Sequence, residues 1–380
     1  MTMNVLITIF YIVACVMLFA LAIIIHEFGH FLVAVKLGLR VTAFSIGFGP
    51  VIWKKTYRGV EYRISWLPLG GYVMIPDLDP EGTAVLEGGA EAKPRQRIPA
   101  WKEIAVSVAG PGMNLVLATV LAVGLALVPS ARFGEVPAVI GTVMTGGPAE
   151  KAGLKGGDEV LAVAGNPVRS WSEMLTEVQI VGTNAAPFLV LRDGVERTLV
   201  IAPKRDEVSG VSLIYALSTT NNVGAAAWMP ARSPWRQLAW DAGSIFRILK
   251  GLVTPRESKS TAKAIGGPVM IAENIYHSLR RNAWDGVGFM RFLNVNLAIV
   301  NLLPIPVLDG GIVFFALIAL VFRRRVPDRI VNLLTMVFMV LLLGLMALLI
   351  GKDSWRSWKI HTYKPETVTT NAVDEADQGR

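Results

Sequence analysis

His26-Glu27-Phe28-Gly29-His30 sets two imidazoles four residues apart with a carboxylate between them. On a helix that spacing puts both rings on one face, where they can grip one metal ion from the same side. Glu27, one residue along, is placed to take a proton from water at that ion. The chemistry this describes is zinc-assisted hydrolysis of a peptide bond. Its setting is apolar: Val5 to Ile25 precede the motif and Phe31 to Val35 follow it. Two imidazoles and a carboxylate are costly in hydrocarbon unless they serve a function, so the motif reads as an intramembrane metal hydrolase.

A catalytic zinc takes three protein ligands and leaves a position for water. Cys15 is the only cysteine, so no disulfide framework exists and the site is built without thiolates. His277 and His361 lie outside the apolar runs, His277 in a polar stretch that reads as surface. Asp309 is the leading third ligand. It stands in Asn301-Leu302-Leu303-Pro304-Ile305-Pro306-Val307-Leu308-Asp309-Gly310-Gly311, where two prolines break the helix and two glycines permit a turn that aims the carboxylate. Irregular backbone at membrane depth is tolerated only inside protein or beside a watery cavity. Asn294, Asn296 and Asn301 suit either contacts to substrate backbone and oxyanion or hydrogen bonds between helices. Gly110-Pro111-Gly112-Met113-Asn114 reads first as close helix packing beside the site.

The elements that must position these groups are membrane helices. Of 380 residues, 53% are hydrophobic and 17% charged, outside the ordinary soluble range. Four stretches reach the roughly 20 residues a span requires. They lie at 7–35, 104–128, 287–322 (long and broken) and 330–350. The first is too long for a signal peptide and lacks a small-residue cleavage site, so it is retained. Lys36, Arg40, Lys54, Lys55, Arg58, Arg63, Lys93, Arg95, Arg97 and Lys102 fall between the first two spans, and Arg323-Arg324-Arg325 with Arg329 after the third. The positive-inside rule puts both loops in the cytoplasm, and both termini and residues 129–285 outside it. Lys352, Arg356 and Lys359 run mildly against that rule. The net charge of +8 hugs membrane ends and forms no single face, which argues against nucleic acid as a partner. By helical rise His30 lies roughly 9 Å from Lys36, but Asp309 lies roughly 21 Å from Arg323. A tilted or protruding third helix is needed to bring the two to one depth.

Residues 53–60 and 61–75 alternate as short strands, with Gly70-Gly71 as a bend. Such a ribbon either offers an edge to an extended substrate or packs as a plain surface hairpin. Residues 77–96 read as a Gly- and Pro-rich linker. Residues 137–205 form a separate module: a strand at 139–144, a short helix after Gly146-Gly147-Pro148-Ala149, and a turn at Gly156-Gly157-Asp158. A strand at 159–163, a helix at 172–181 and a hairpin around Asp193-Gly194 complete it. Residues 233–252 carry Trp235, Leu238, Ala242, Ile245 and Leu249 at helical spacing. They form an amphipathic helix lying on the outer leaflet or packed on protein.

The motifs HEFGH, Gly-Pro-x-x-Asn and Asn-x-x-Pro-x-Pro-x-Leu-Asp-Gly, in this order around a soluble module, resemble the site-2 protease family of intramembrane zinc metalloproteases, on its bacterial sigma-E-regulating (RseP-type) side. The likeness runs over about residues 1 to 350. It implies Zn2+ held by His26, His30 and Asp309, Glu27 as catalytic base, and substrate contacts at Asn296, Asn301 and Gly70-Gly71-Tyr72-Val73. The module resembles a PDZ domain, which holds peptides by strand addition or filters substrates by size. One such module stands where RseP-type relatives carry two, and Ile312 stands where relatives often have His.

The expected fold is a polytopic α-helical membrane protein with about four transmembrane helices, a cytoplasmic-side membrane-associated β segment and one inserted extracytoplasmic PDZ-like α+β domain. The expected divisions are 1–36 (first helix), 37–103 (β segment and linker), 104–128 (second helix) and 137–205 (module). They continue as 206–286 (post-module segment), 287–322 (broken third span), 330–350 (fourth helix) and 351–380 (extracytoplasmic tail). The expected location is the bacterial inner membrane, with the lipid bilayer and single-pass membrane proteins as partners. Those substrates resemble anti-sigma factors after a first external cut, and include remnant signal peptides. A catalytically silent PDZ binding module is the alternative. A transporter is disfavoured, because no inverted repeat is evident.

Overall fold

The computed structural model describes residues 2–78, 98–128, 137–206, 212–218 and 232–362. Most of the expected linker, and the tail beyond 362, lie outside the described residues.

The first apolar run forms α1 (Thr2–Lys36), and the second forms α2 (Ala100–Leu127). Between them, β1 (Ala43–Tyr57) and β2 (Val60–Met74) make the ribbon. Its turn falls at Arg58-Gly59, both at positive φ, so Gly70-Gly71 lie within β2 and do not mark a bend between strands. Both strands fold back on themselves. Residues 43–46 pair with 71–74 on one side and 61–64 on the other, and 61–64 also pair with 53–56. The segment 71–74 is thereby left at the ribbon's edge. Phe31 on α1 meets Phe44 and Tyr62, with ring centroids 5.2 and 6.0 Å away, so the ribbon is seated against the helix that carries the histidines.

The module is built from β3 (Ile140–Val143), α3 (Pro148–Lys151), β4 (Glu159–Val163), β5 (Asn166–Pro167), α4 (Trp171–Val181), β6 (Ala186–Arg192) and β7 (Val195–Ile201), then β8 (Lys204–Arg205), β9 (Ser212–Leu213) and β10 (Ala216–Ser218). Ser170 caps α4 by accepting from the Glu173 amide, and Asp193-Gly194 turns β6 into β7 with both residues at positive φ. The strands order β5-β4-β6-β7, while β10 pairs with β3 and β9 with β8. The sheet system therefore takes in residues to 218, past the expected limit of 205. Phe188, Val190, Met174, Val163 and Ile201 form its buried core.

Asp158 of the Gly-Gly-Asp turn is fully buried and receives Arg192 through two 2.6 Å contacts and the Lys155 amide at 2.8 Å. Burial pushes its carboxyl up, but Arg192 and the amide outweigh that and hold it below the usual range. A lowered folded value means stability present above the unfolded pKa and lost as pH falls through the folded one. The isosteric change Asp158→Asn is expected to remove about 3 kcal/mol from the module. Its loss of acid sensitivity below about pH 4 is read by melting the parent and the variant across pH.

After the module come α5 (Pro234–Val253), α6 (Ser258–Ala264) and α7 (Pro268–Arg281), the last two not foreseen in the 206–286 segment. Leu238 and Ile245 of α5 pack with Ala118 and Ala122 of α2, while Trp235, Phe246 and Val253 stay bare. One part of its apolar surface thus meets protein and the rest stays exposed. The broken third span is α8 (Ala283–Asn301) followed by α9 (Asp309–Phe322), separated by the stretch holding Pro304 and Pro306. Arg291 of α8, fully buried, donates to Asp241 of α5 at 2.6 and 3.0 Å and to Gln237 at 2.6 Å. The chain reverses at Arg323, in the left-handed region at φ 53°. Arg325 then reaches back to the Ile98 carbonyl and, at 2.9 Å, to Glu103 in the first turn of α2. The stretch from Asp309 to Arg323 is therefore not all depth.

The last helix, α10 (Asp328–Thr362), continues twelve residues past the expected end at 350. Its Asp353 accepts from the Gly267 and Met270 amides at 2.7 and 3.1 Å, capping α7. No residue in its most apolar 18-residue window is buried. By length and apolarity α1, α2 and α10 can each cross a bilayer, and α9 is a shorter apolar helix.

Candidate metal centre

Three chain segments far apart in sequence converge on the HEFGH motif. His26 and His30 lie on α1, both buried, with their Nε2 atoms 3.2 Å apart. Asp309, the first residue of α9, places Oδ2 3.1 Å from His26 Nε2 and Oδ1 3.4 Å from His30 Nε2. A tetrahedral zinc with ligand bonds of about 2.05 Å requires ligand atoms roughly 3.3 Å apart. The three separations meet that requirement.

The second nitrogen of each ring sets which nitrogen faces the centre. His30 Nδ1 lies 2.8 Å from the Val106 carbonyl of α2, so it carries the proton and leaves the Nε2 lone pair free. His26 Nδ1 lies 3.3 Å from the side-chain amide nitrogen of Asn114. The Asn114 oxygen is buried and has no partner among the described residues. Exchanging the two ends of that amide, which differ little in shape, lets the oxygen accept the His26 Nδ1 proton. His26 then presents its Nε2 lone pair as well. The donor set fits zinc.

Glycine makes the approach of α1 and α2 possible. A side chain at Gly29 would strike the Ala109 carbonyl. At Gly110 it would fall 2.9 Å from the His26 ring and closer still to His30 Nε2. Gly310 and Gly311 leave room for the backbone of Leu302–Pro306, which lets the proline-broken segment fold tightly behind Asp309.

Glu27 is half-buried on the next position of α1. Its carboxylate lies within electrostatic reach of His26, His30 and Asp309 and close to the Val73 backbone. Val73 belongs to the edge segment of β2, so the ribbon's free edge lies against the centre. Gly70 packs beside Ile23 and Phe48, and Gly71 lies against the Ser45 carbonyl. The Tyr72 hydroxyl accepts from Arg63 at 3.2 Å. Asn301 places its amide nitrogen 3.5 Å from His26 Nε2. Asn296 is half-buried further up α8, and Asn294 is fully buried and donates to the Met290 carbonyl of its own helix at 2.8 Å. The structure brings Asn301 to the centre and places Asn294 in the helix interior. His277 is exposed on α7, and His361 lies in the last turn of α10.

The residue that sequence reasoning passed over is Asn114, assigned there to packing. The sequence signal is an Asn standing in an apolar run; which neighbour it faces is visible only in the structure.

The profile of peptidase family M50 matches residues 14–345. The chain is 31% identical over 346 residues to the “Putative zinc metalloprotease CPE1693” of Clostridium perfringens, covering 90% of this chain and 98% of that one. It is 30% identical over 345 residues to a similarly named Campylobacter jejuni protein, covering 88% and 90%. It is 30% identical over 400 residues to the zinc metalloprotease Rip1 of Mycobacterium bovis, covering 89% and 96%.

Proposed function

This chain belongs to peptidase family M50 as a site-2-type zinc metalloprotease, and on that premise we propose that His26, His30 and Asp309 hold the zinc while Glu27 works as the catalytic base. The observation that carries the reading is the near-tetrahedral spacing of three ligand atoms, with both rings oriented from behind. Zinc, when bound, supplies a Lewis acid that makes water acidic near neutral pH and polarises the scissile carbonyl. Glu27 takes the proton of the attacking water and passes it to the leaving amine nitrogen. The Val73 backbone lies close to that carboxylate. Asn301, beside His26, donates to the developing oxyanion. The edge at 71–74 receives the substrate as an added strand, with Gly70, Gly71, Tyr72 and Val73 along the contact, and Asn296 lies further along α8. A helical substrate must unwind to be read this way, because its amides are otherwise engaged.

The substrates under this reading are single-pass membrane proteins shortened outside the membrane, of the anti-sigma-factor kind, and remnant signal peptides. The cut lies within the bilayer of a bacterial inner membrane. The module is PDZ-like and extracytoplasmic, with the ribbon on the cytoplasmic side, and α8 with α9 makes one broken span among four. Lys102 donating to the Leu37 carbonyl and Arg325 paired with Glu103 gather basic residues at one end of the bundle, which supports this orientation.

The test is a single-pass reporter with a short external stub, reconstituted in vesicles with the purified full chain. Cleavage should stop on metal removal and return with added zinc. Cleavage that persists without metal would sink the reading, and bound zinc with no turnover of any reporter would favour the silent binding module. Asn114→Ala is expected to weaken zinc binding roughly 10- to 100-fold, measured by competition with a chelating indicator. Asn114→Asp keeps an acceptor for His26 and should recover most of that affinity.

A further inference from the structure

We propose that the cavity between the module and α6 is a binding site for the phosphate headgroup of an anionic phospholipid. Its volume is about 330 Å3, and its wall includes Arg205, Arg256, Lys259 and Lys263 but no carboxylate. All four cationic side chains are exposed, and none is in an ion pair among the described residues. Two acids adjoin the wall in sequence: Glu257 is already engaged with Arg247 at 2.8 Å, and Asp206 also has an interaction of its own. Four unneutralised cations around one hollow repel one another unless an anion occupies it.

The height of the cavity points to lipid. Lys352 is the first charged residue after the apolar run of α10, and its Nζ donates to the Lys263 and Ile265 carbonyls, both at 2.7 Å. The end of α6 is thereby fixed where α10 leaves hydrocarbon. Trp355 and Trp358 follow within two turns, 60% and 57% exposed, as in the aromatic belt of a membrane surface. Arg205 lies within electrostatic reach of Lys352. Basic residues at that level attract anionic headgroups, each contributing about 1 kcal/mol. Val253, 80% exposed just before the wall residue Pro255, offers apolar surface for the acyl chains.

A peptide is the lesser fit. Two strand residues line the cavity, Arg205 of β8 and its partner Ser212 of β9, and the N–H and carbonyl of Ser212 are both taken by the Gln179 side-chain amide, at 3.0 and 2.7 Å. An incoming strand finds no free ladder on β9.

The experiment titrates the purified full chain, in neutral detergent, with short-chain phosphatidylglycerol by calorimetry. Short-chain phosphatidylcholine, inorganic phosphate and a synthetic peptide with an apolar free C-terminus are titrated in parallel. Saturable binding of phosphatidylglycerol alone is expected. It should weaken at least tenfold in the combined Arg256→Gln, Lys259→Gln, Lys263→Gln variant, weaken partially in Lys259→Gln alone, and stay unchanged in Arg197→Gln on β7. Zinc content and melting verify that each variant is folded. Equal phosphatidylglycerol affinity in parent and folded variants overturns the site. Phosphate binding as tightly as the lipid makes it a soluble-anion site, and a peptide that displaces the lipid makes it a peptide site; either overturns the assignment.

Discussion

Glu27→Gln is expected to lower peptide hydrolysis roughly 100- to 10,000-fold while leaving zinc bound. The substitution keeps the shape of the side chain and an oxygen acceptor beside the Val73 backbone, so the ribbon edge stays in place. What it removes is the capacity to take a proton. The three zinc ligands are other residues, and their mutual distances do not depend on Glu27. The two readouts are reporter cleavage in vesicles and zinc per protein by elemental analysis. Loss of zinc would make Glu27 a ligand, and undiminished cleavage would assign the base to another group.

The second large effect is expected from a single methyl. Gly110→Ala puts a carbon within 3.0 Å of both ligand imidazoles, on the side where α2 touches α1. Neither ring can retreat freely, because His30 is held by the Val106 carbonyl and His26 by Asn114. Zinc affinity is expected to fall about 100-fold or more, as it does when ligand orientation is lost, with cleavage falling in step. Gly112→Ala, two residues away on the same helix, meets nothing within 4 Å and should retain both zinc and activity. Equal zinc content in the two variants would show that the α1–α2 crossing is looser than described here.

The groups that converge at the centre were legible because each breaks a local rule: paired histidines in hydrocarbon, an aspartate behind two prolines, and glycines where a helix is expected. The module's hairpin was legible from Asp193-Gly194, since few residues accept positive φ at both turn positions. Asn114 was not, because the face of α2 that meets α1 depends on how the helices cross. The start of β1, ten residues before the expected 53, is hidden by Gly47, Gly49 and Pro50, residue types that usually mark turns, although the ribbon accommodates them. Asp241 looked like one more residue on the polar face of an amphipathic helix, yet it is fully buried against Arg291. Periodicity separates polar from apolar positions but does not say which polar side chains have partners inside. For the same reason α10 outran its apolar run: Lys352 and Asp353 bond to the end of α6 and the start of α7 and carry the helix onward.

That helix bears on how turnover should be counted. Pinned near its C-terminal end through Lys352 and Asp353, α10 presents an apolar middle with none of the described residues over it, a surface suited to lipid. A substrate embedded in the same bilayer, as proposed above, would approach in two dimensions. Its effective concentration is the number of substrate molecules per lipid, and adding empty lipid at constant volume dilutes it although its molarity in the tube is unchanged. A Michaelis constant for such a substrate would therefore be a mole fraction.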